Sequence, residues 1–252
     1  LGWRLPYALA LTLAVNGVEP DRWGRVGFPD LLQNVPYAQR YAFPTAAVVD
    51  NFNRADENPL SQSGAWTTGI ISGHAALTVG ANQCVGSTAS TNSAYRTTIM
   101  SGADEECFVT LATHGSNNEF AVYARLANPG AASSVDGYKA QLSLGGTLQV
   151  RIQRVDNDTP TNIATVNQTI DGGDSVGLEC IGSTIAAYFN DDGAGWASVT
   201  SVADATYSAA GYIGLHDNNQ FNVADDFGGG VIAAAAASLL LRRDPMAALL
   251  AM

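Results

Sequence analysis

Lysine is almost missing from this chain: Lys139 is the only one among 252 residues, and 12 Lys and Arg face 23 Asp and Glu, a formal net charge of −11. That balance disfavours nucleic-acid binding, because neutralising phosphates needs clustered basic side chains. Arg151 with Arg154, and Arg242-Arg243 near the end, are pairs rather than patches. Cysteine is scarce too. Cys84, Cys107 and Cys180 are an odd set, too widely spaced for a zinc site, so nothing supports a disulfide-stapled fold and three buried thiols in apolar runs are expected. Long apolar runs are also lacking. The two candidates, residues 5–15 and 231–241, fall short of the ~20 residues a bilayer-crossing helix requires, so no membrane span is expected. Charged residues make up only 14%, but hydrophobic residues reach 46%, which places the chain among compact folds rather than disordered ones.

What is present divides into three. Residues 1–45 hold a short apolar segment, stopped by Asn16-Gly17, and an arm over 19–44 with Pro20, Pro29, Pro36 and Pro44 and the aromatics Trp23, Phe28, Tyr37, Tyr41 and Phe43. Arg4 followed by 5–15 has the outline of a secretory signal peptide; a buried helix is the expectation preferred here. Residues 231–252 form a second apolar segment, broken at Pro245. Both ends need an apolar surface to cover them, and docking onto other subunits is expected.

The body, residues 46–230, alternates apolar and polar residues in short runs: 75–79, 94–99, 107–113, 120–126, 138–144, 148–155, 162–168, 176–181, 184–190, 196–202, 212–216 and 221–225. Period two over such lengths predicts strands with one buried face. Turn chemistry separates them, as at Asp156-Asn157-Asp158 and Gly182-Ser183. Helical periodicity is absent from the body, which excludes a parallel sheet with crossover helices and leaves an all-β, two-sheet antiparallel sandwich.

Asp-Asn-Phe-Asn-Arg-Ala-Asp at 50–56, Trp66, Ser-Ala-Tyr at 93–95, Asp136-Gly137-Tyr138, residues 148–154, Gly177-Leu178, residues 182–188, Gly195-Trp196, residues 207–215 and Asp225-Asp226-Phe227 carry a resemblance. Together they resemble a laminin-G-like, concanavalin A-like jelly-roll domain of the kind found in bacteriophage and environmental structural proteins. The resemblance covers roughly residues 46–230. It implies neighbouring first and last strands and, since such jelly rolls often bind calcium through loop oxygens, a calcium site from Asp50, Asn51, Asp225 and Asp226.

Catalysis is not expected. Glucanases of this fold alternate acidic residues along one strand, whereas Asp104-Glu105-Glu106 is consecutive and reads as a solvated turn before a strand. His74, His114 and His216 lack a Gly-x-Ser-x-Gly elbow. For glycan stacking, Trp196 beside the turn at 191–195 and Tyr207 in a polar loop are the aromatics expected to be exposed. The leading expectation is a non-enzymatic virion decoration protein, capsid- or tail-associated, displaying its jelly roll on the virion surface and joined to other virion subunits or to copies of itself through both termini. The alternative is a glycan-binding module of a bacterial cell-surface or secreted protein, and a glycoside hydrolase comes last.

Overall fold

The computed structural model describes residues 43–115 and 118–232, and every regular element among them is a β-strand. In chain order these are β1 (Val48–Asp50), β2 (Trp66–Thr68), β3 (Leu77–Gly80), β4 (Gln83–Gly86), β5 (Asn92–Arg96), β6 (Glu105–Thr113), β7 (Glu119–Ala127) and β8 (Asp136–Ser143). They continue as β9 (Gln149–Asp156), β10 (Thr159–Asn167), β11 (Ser175–Ile181), β12 (Thr184–Asn190), β13 (Trp196–Ala203), β14 (Tyr212–Asp217) and β15 (Val223–Val231). An eight-stranded sheet runs β13-β12-β11-β6-β15-β4-β3, with β1 added beside β15; a seven-stranded sheet runs β10-β9-β8-β7-β14-β5-β2. All named strand pairs are antiparallel. The sandwich expected from the alternation is the one observed.

Period two explains the layering. On β8, Tyr138, Ala140 and Leu142 enter the core between the sheets, and on β6 Cys107, Val109 and Leu111 meet them from the other side. The three cysteines are free and buried, as anticipated. The expected neighbouring of first and last strands is also present, with Val48 opposite Gly228.

One end of the sandwich is locked by polar groups. A break in register near Ala124 leaves Arg125 at φ +50°, and its guanidinium donates to the carbonyls of Ala103, Gly182 and Tyr207 at 2.8, 2.9 and 3.0 Å. Glu105 receives the backbone N–H groups of Arg125 and Gly211. Burial pushes the Glu105 carboxyl up to about 7, against the downward pull of those N–H groups.

Two expectations change here. Glu105 and Glu106 are fully buried residues of β6 rather than a solvated turn, because Glu105 serves the lock and Glu106 binds residues 45–46. Strand β15 runs through Gly228-Gly229-Gly230 to Val231, since side chains there would strike the Phe108 ring and the β6 backbone. Phe43, at the end of the proline-rich arm, packs on its own sandwich against Phe108, Tyr188 and Trp196. The helix expected over 5–15, the rest of the arm and the apolar segment beyond Ile232 lie outside the described residues.

Candidate functional site

Because Tyr138, Ala140 and Leu142 point inward, Lys139 and Gln141 point to the outer face of the seven-stranded sheet. Register builds a grid there. Lys139 stands between Tyr123 of β7 and Gln153 of β9, and Gln141 between Ala121 and Arg151. Across the sheet His216 of β14 pairs with Ala121 on one side and Ser93 of β5 on the other. These polar side chains are shielded: Gln141 is 0% exposed, Lys139 2%, His216 4% and Gln153 6%.

Some of the grid is satisfied internally. Lys139 Nζ donates to Glu119 Oε2 at 2.9 Å and lies 5.7 Å from the Tyr123 ring centroid. Gln153 Nε2 donates to Asn162 Oδ1 at 2.8 Å, and His74 Nδ1 is 2.9 Å from Ser93 Oγ. The rest is not. Both amide atoms of Gln141, Oε1 of Gln153 and both ring nitrogens of His216 are buried without a hydrogen-bond partner. The 3.7 Å separation of His216 Nε2 from Glu119 Oε2 is too long for a hydrogen bond. Burial, then the nearby Lys139, holds His216 well below the usual histidine range, so at neutral pH it is a neutral ring with one donor and one acceptor nitrogen.

Loops close one side of this face. Ile70 N–H donates to Ser93 Oγ at 2.9 Å, Gly130 N–H to the Ile70 carbonyl at 2.7 Å, and Ile70 packs with Tyr123, Leu126, Val135 and Val155 in a second apolar cluster. Mixed donors and acceptors beside aromatic rings suit a neutral polyhydroxylated ligand, whose hydroxyls both donate and accept.

The residues selected from sequence fall elsewhere. Trp196 opens β13 on the outer face of the eight-stranded sheet, half-buried, with its ring edge-on to Phe43 at 5.0 Å. Tyr207 is half-buried; its hydroxyl lies 2.7 Å from Asp156 Oδ1 and 3.0 Å from Asp136 Oδ1, and its ring packs on Tyr138 at 5.8 Å. It joins loop to strand rather than standing free.

Asp50, expected as a calcium ligand, is engaged by groups of its own chain. Its Oδ1 accepts from Phe52 N–H at 2.8 Å and Arg54 Nη1 at 2.6 Å, and its Oδ2 from Trp66 Nε1 at 2.7 Å and Arg54 Nη2 at 3.2 Å. Three residues supply these four N–H groups, two of them from the Arg54 cation, and they occupy both carboxylate oxygens. Asn51 Oδ1 accepts the Asn53 N–H at 3.1 Å, Asp225 Oδ1 accepts the Asp226 N–H at 2.8 Å, and Asp226 is exposed. Among the described residues no three His, Cys, Asp or Glu side chains gather to hold a metal ion.

The sequence matches no protein-family model and no curated protein. Solved structures do match in fold. The carbohydrate-binding module CBM66 from Bacillus subtilis superimposes with a TM-score of 0.53 at 17% identity, covering 68% of this chain and 99% of that one. The exoplasmic/lumenal domain of VIP36, in a Ca2+- and Man3GlcNAc-bound form, gives 0.54 at 11% identity, covering 69% and 86%. A prokaryotic β-1,3-1,4-glucanase from a mouse hindgut metagenome gives 0.51 at 8% identity, covering 72% and 97%. The fold is therefore a concanavalin A-like jelly roll. At such identities the likeness extends to the backbone and not to any ligand or reaction.

Proposed function

We propose that this chain is a non-enzymatic glycan-binding module acting at a cell surface or outside the cell, with the sugar received on the outer face of the seven-stranded sheet. The observation that carries the reading is the set of buried, unpartnered polar atoms on Gln141, Gln153 and His216. Each such group costs about 1–3 kcal/mol when left unsatisfied, so an arrangement that keeps several together is one built for a hydroxylated partner. Neighbours of the same fold include a carbohydrate-binding module and a mannose-containing-glycan complex, which supports the class. The virion decoration role draws no support from those neighbours. Hydrolysis is not part of the proposal: glycosidases use two carboxylates, whereas the central grid offers Glu119, already paired with Lys139.

Glycan-array and calorimetric titration of the full chain test it with Gln141→Leu. The expected result is affinity lost at least tenfold with a raised melting temperature, because an apolar side chain removes the unsatisfied amide. Absence of glycan binding by the parent chain, or affinity unchanged in the variant, overturns the proposal.

A further inference from the structure

On the outer face of the eight-stranded sheet, residues 43–46 lie across the strands as if bound there. The Phe43 ring stacks on Tyr188, centroids 4.0 Å apart and planes within 9°, while Trp196 meets it edge-on at 5.0 Å. Gly177 makes the position possible, since a Cβ on it would collide with the Phe43 ring. Two residues on, Thr45 N–H and Oγ1 reach Glu106 Oε1 at 2.5 and 3.0 Å, and the Ala46 N–H donates to the same oxygen. Glu106 is fully buried and its Oε2 has no partner. Glu179 stands directly beside it in register, buried, and accepts the Tyr188 hydroxyl at 3.2 Å. Burial, with Glu106 as neighbour, holds the Glu179 carboxyl above its ordinary range.

We infer that residues 43–46 occupy a second carbohydrate subsite, formed by Tyr188, Trp196, Glu106 and Glu179, and that they compete there with a neutral pyranoside. The inference shares the glycan-binding class proposed above but uses the opposite face of the sandwich. A flat ring 4.0 Å above Tyr188 occupies the place where the C–H face of a pyranose would stack, with Trp196 as the side wall. The hydroxyl and N–H donors converging on one carboxylate oxygen stand where vicinal sugar hydroxyls would donate, and the unpartnered Oε2 of Glu106 has capacity for one more. Two adjacent carboxylates repel acidic sugars, which selects neutral ones. Thr45 is exposed, so solvent borders the segment that must be displaced.

The test is calorimetric titration of the full chain with methyl β-glucopyranoside and with β-linked glucose oligosaccharides. Phe43→Ala should bind at least tenfold more tightly than the parent chain, and adding Trp196→Ala should remove the gain. Thr45→Pro deletes an N–H and a hydroxyl at an exposed position and should give a smaller gain of the same sign, which covers the case where Phe43→Ala folds poorly. No gain in either variant, or a gain that survives Trp196→Ala, overturns the inference. Gln141→Leu keeps the two faces separable: it should abolish parent binding without touching the gain from Phe43→Ala.

Discussion

The outer face of the eight-stranded sheet is finished with aromatic rings laid on glycines and closed by the chain's own Phe43. That of the seven-stranded sheet is finished with amides, imidazoles and a lysine, several of which have no partner. Both faces come from the same alternation, and both are shielded. They differ in what satisfies them. On the first, Oε1 of Glu106 is engaged by backbone and hydroxyl donors of residues 45–46 while its Oε2 is unpartnered; on the second, Gln141 sits in an environment that answers neither its donor nor its acceptor. A polar group that is buried and bonded fixes structure, whereas one that is buried and unbonded weakens it and needs a ligand to justify it.

A large effect expected to sharpen this contrast concerns the single lysine. Glu119→Ala strands the ammonium of Lys139 on the polar face and should cost about 3 kcal/mol in denaturant unfolding. On the aromatic face, Glu179→Gln removes one of two adjacent acids while keeping an acceptor for Tyr188, and should be neutral or stabilising. Equal losses for the two substitutions would break the comparison.

An effect of similar size should arise inside the sandwich, apart from either face. Burial pushes both Glu105 and Asp217 up to about 7, from 4.5 and 3.8. The native state keeps these protons while the unfolded chain has lost them, so their contribution is present below about pH 4 and is lost as pH rises through about 7. Each shift corresponds to about 3–4 kcal/mol, given 1.36 kcal/mol per pH unit. Glu57 and Asp204 act oppositely: hydrogen bonds overcome burial and hold each at about 2, so their contribution is lost as pH falls below about 4. Thermal melts from pH 3 to 8 should peak near pH 4–5, and Asp217→Asn should flatten the decline on the alkaline side. A melting temperature that climbs steadily to pH 8 would place the titrating groups elsewhere.

The smallest effect is none at all: excess chelator should leave the melting temperature unchanged if Arg54 is the only cation Asp50 holds. A fall of several degrees would restore Asp50 to the role expected from sequence.

Much of the fold was legible because strands buried on one face must alternate, and runs such as 138–144 and 184–190 did so cleanly. Strands β2 and β4 escaped notice because three or four residues are too few to show a period. The glycines of β15 lay beyond the alternating run that ends at 225, because residues without side chains show no period, although their smallness accommodates Phe108 and the backbone of β6. The candidate site was harder to read. Gln141 and Gln153 occupy positions that alternation assigns to solvent, and nothing local announces that such residues are shielded. The one available signal was Lys139, a lone lysine in the middle of a core strand. Trp196 drew attention as an aromatic after a turn, but its neighbour Phe43 comes from more than a hundred residues away in sequence and only the fold unites them.

The pairing of β1 with β15 also bears on how the sandwich can be built into larger assemblies. Ala46 and Gly230 lie side by side, close enough that a Cβ on the glycine would touch that of the alanine at 3.6 Å. A chain that arrives and leaves at one point can be spliced into a surface loop of a host protein, or strung in tandem, without stretching either partner.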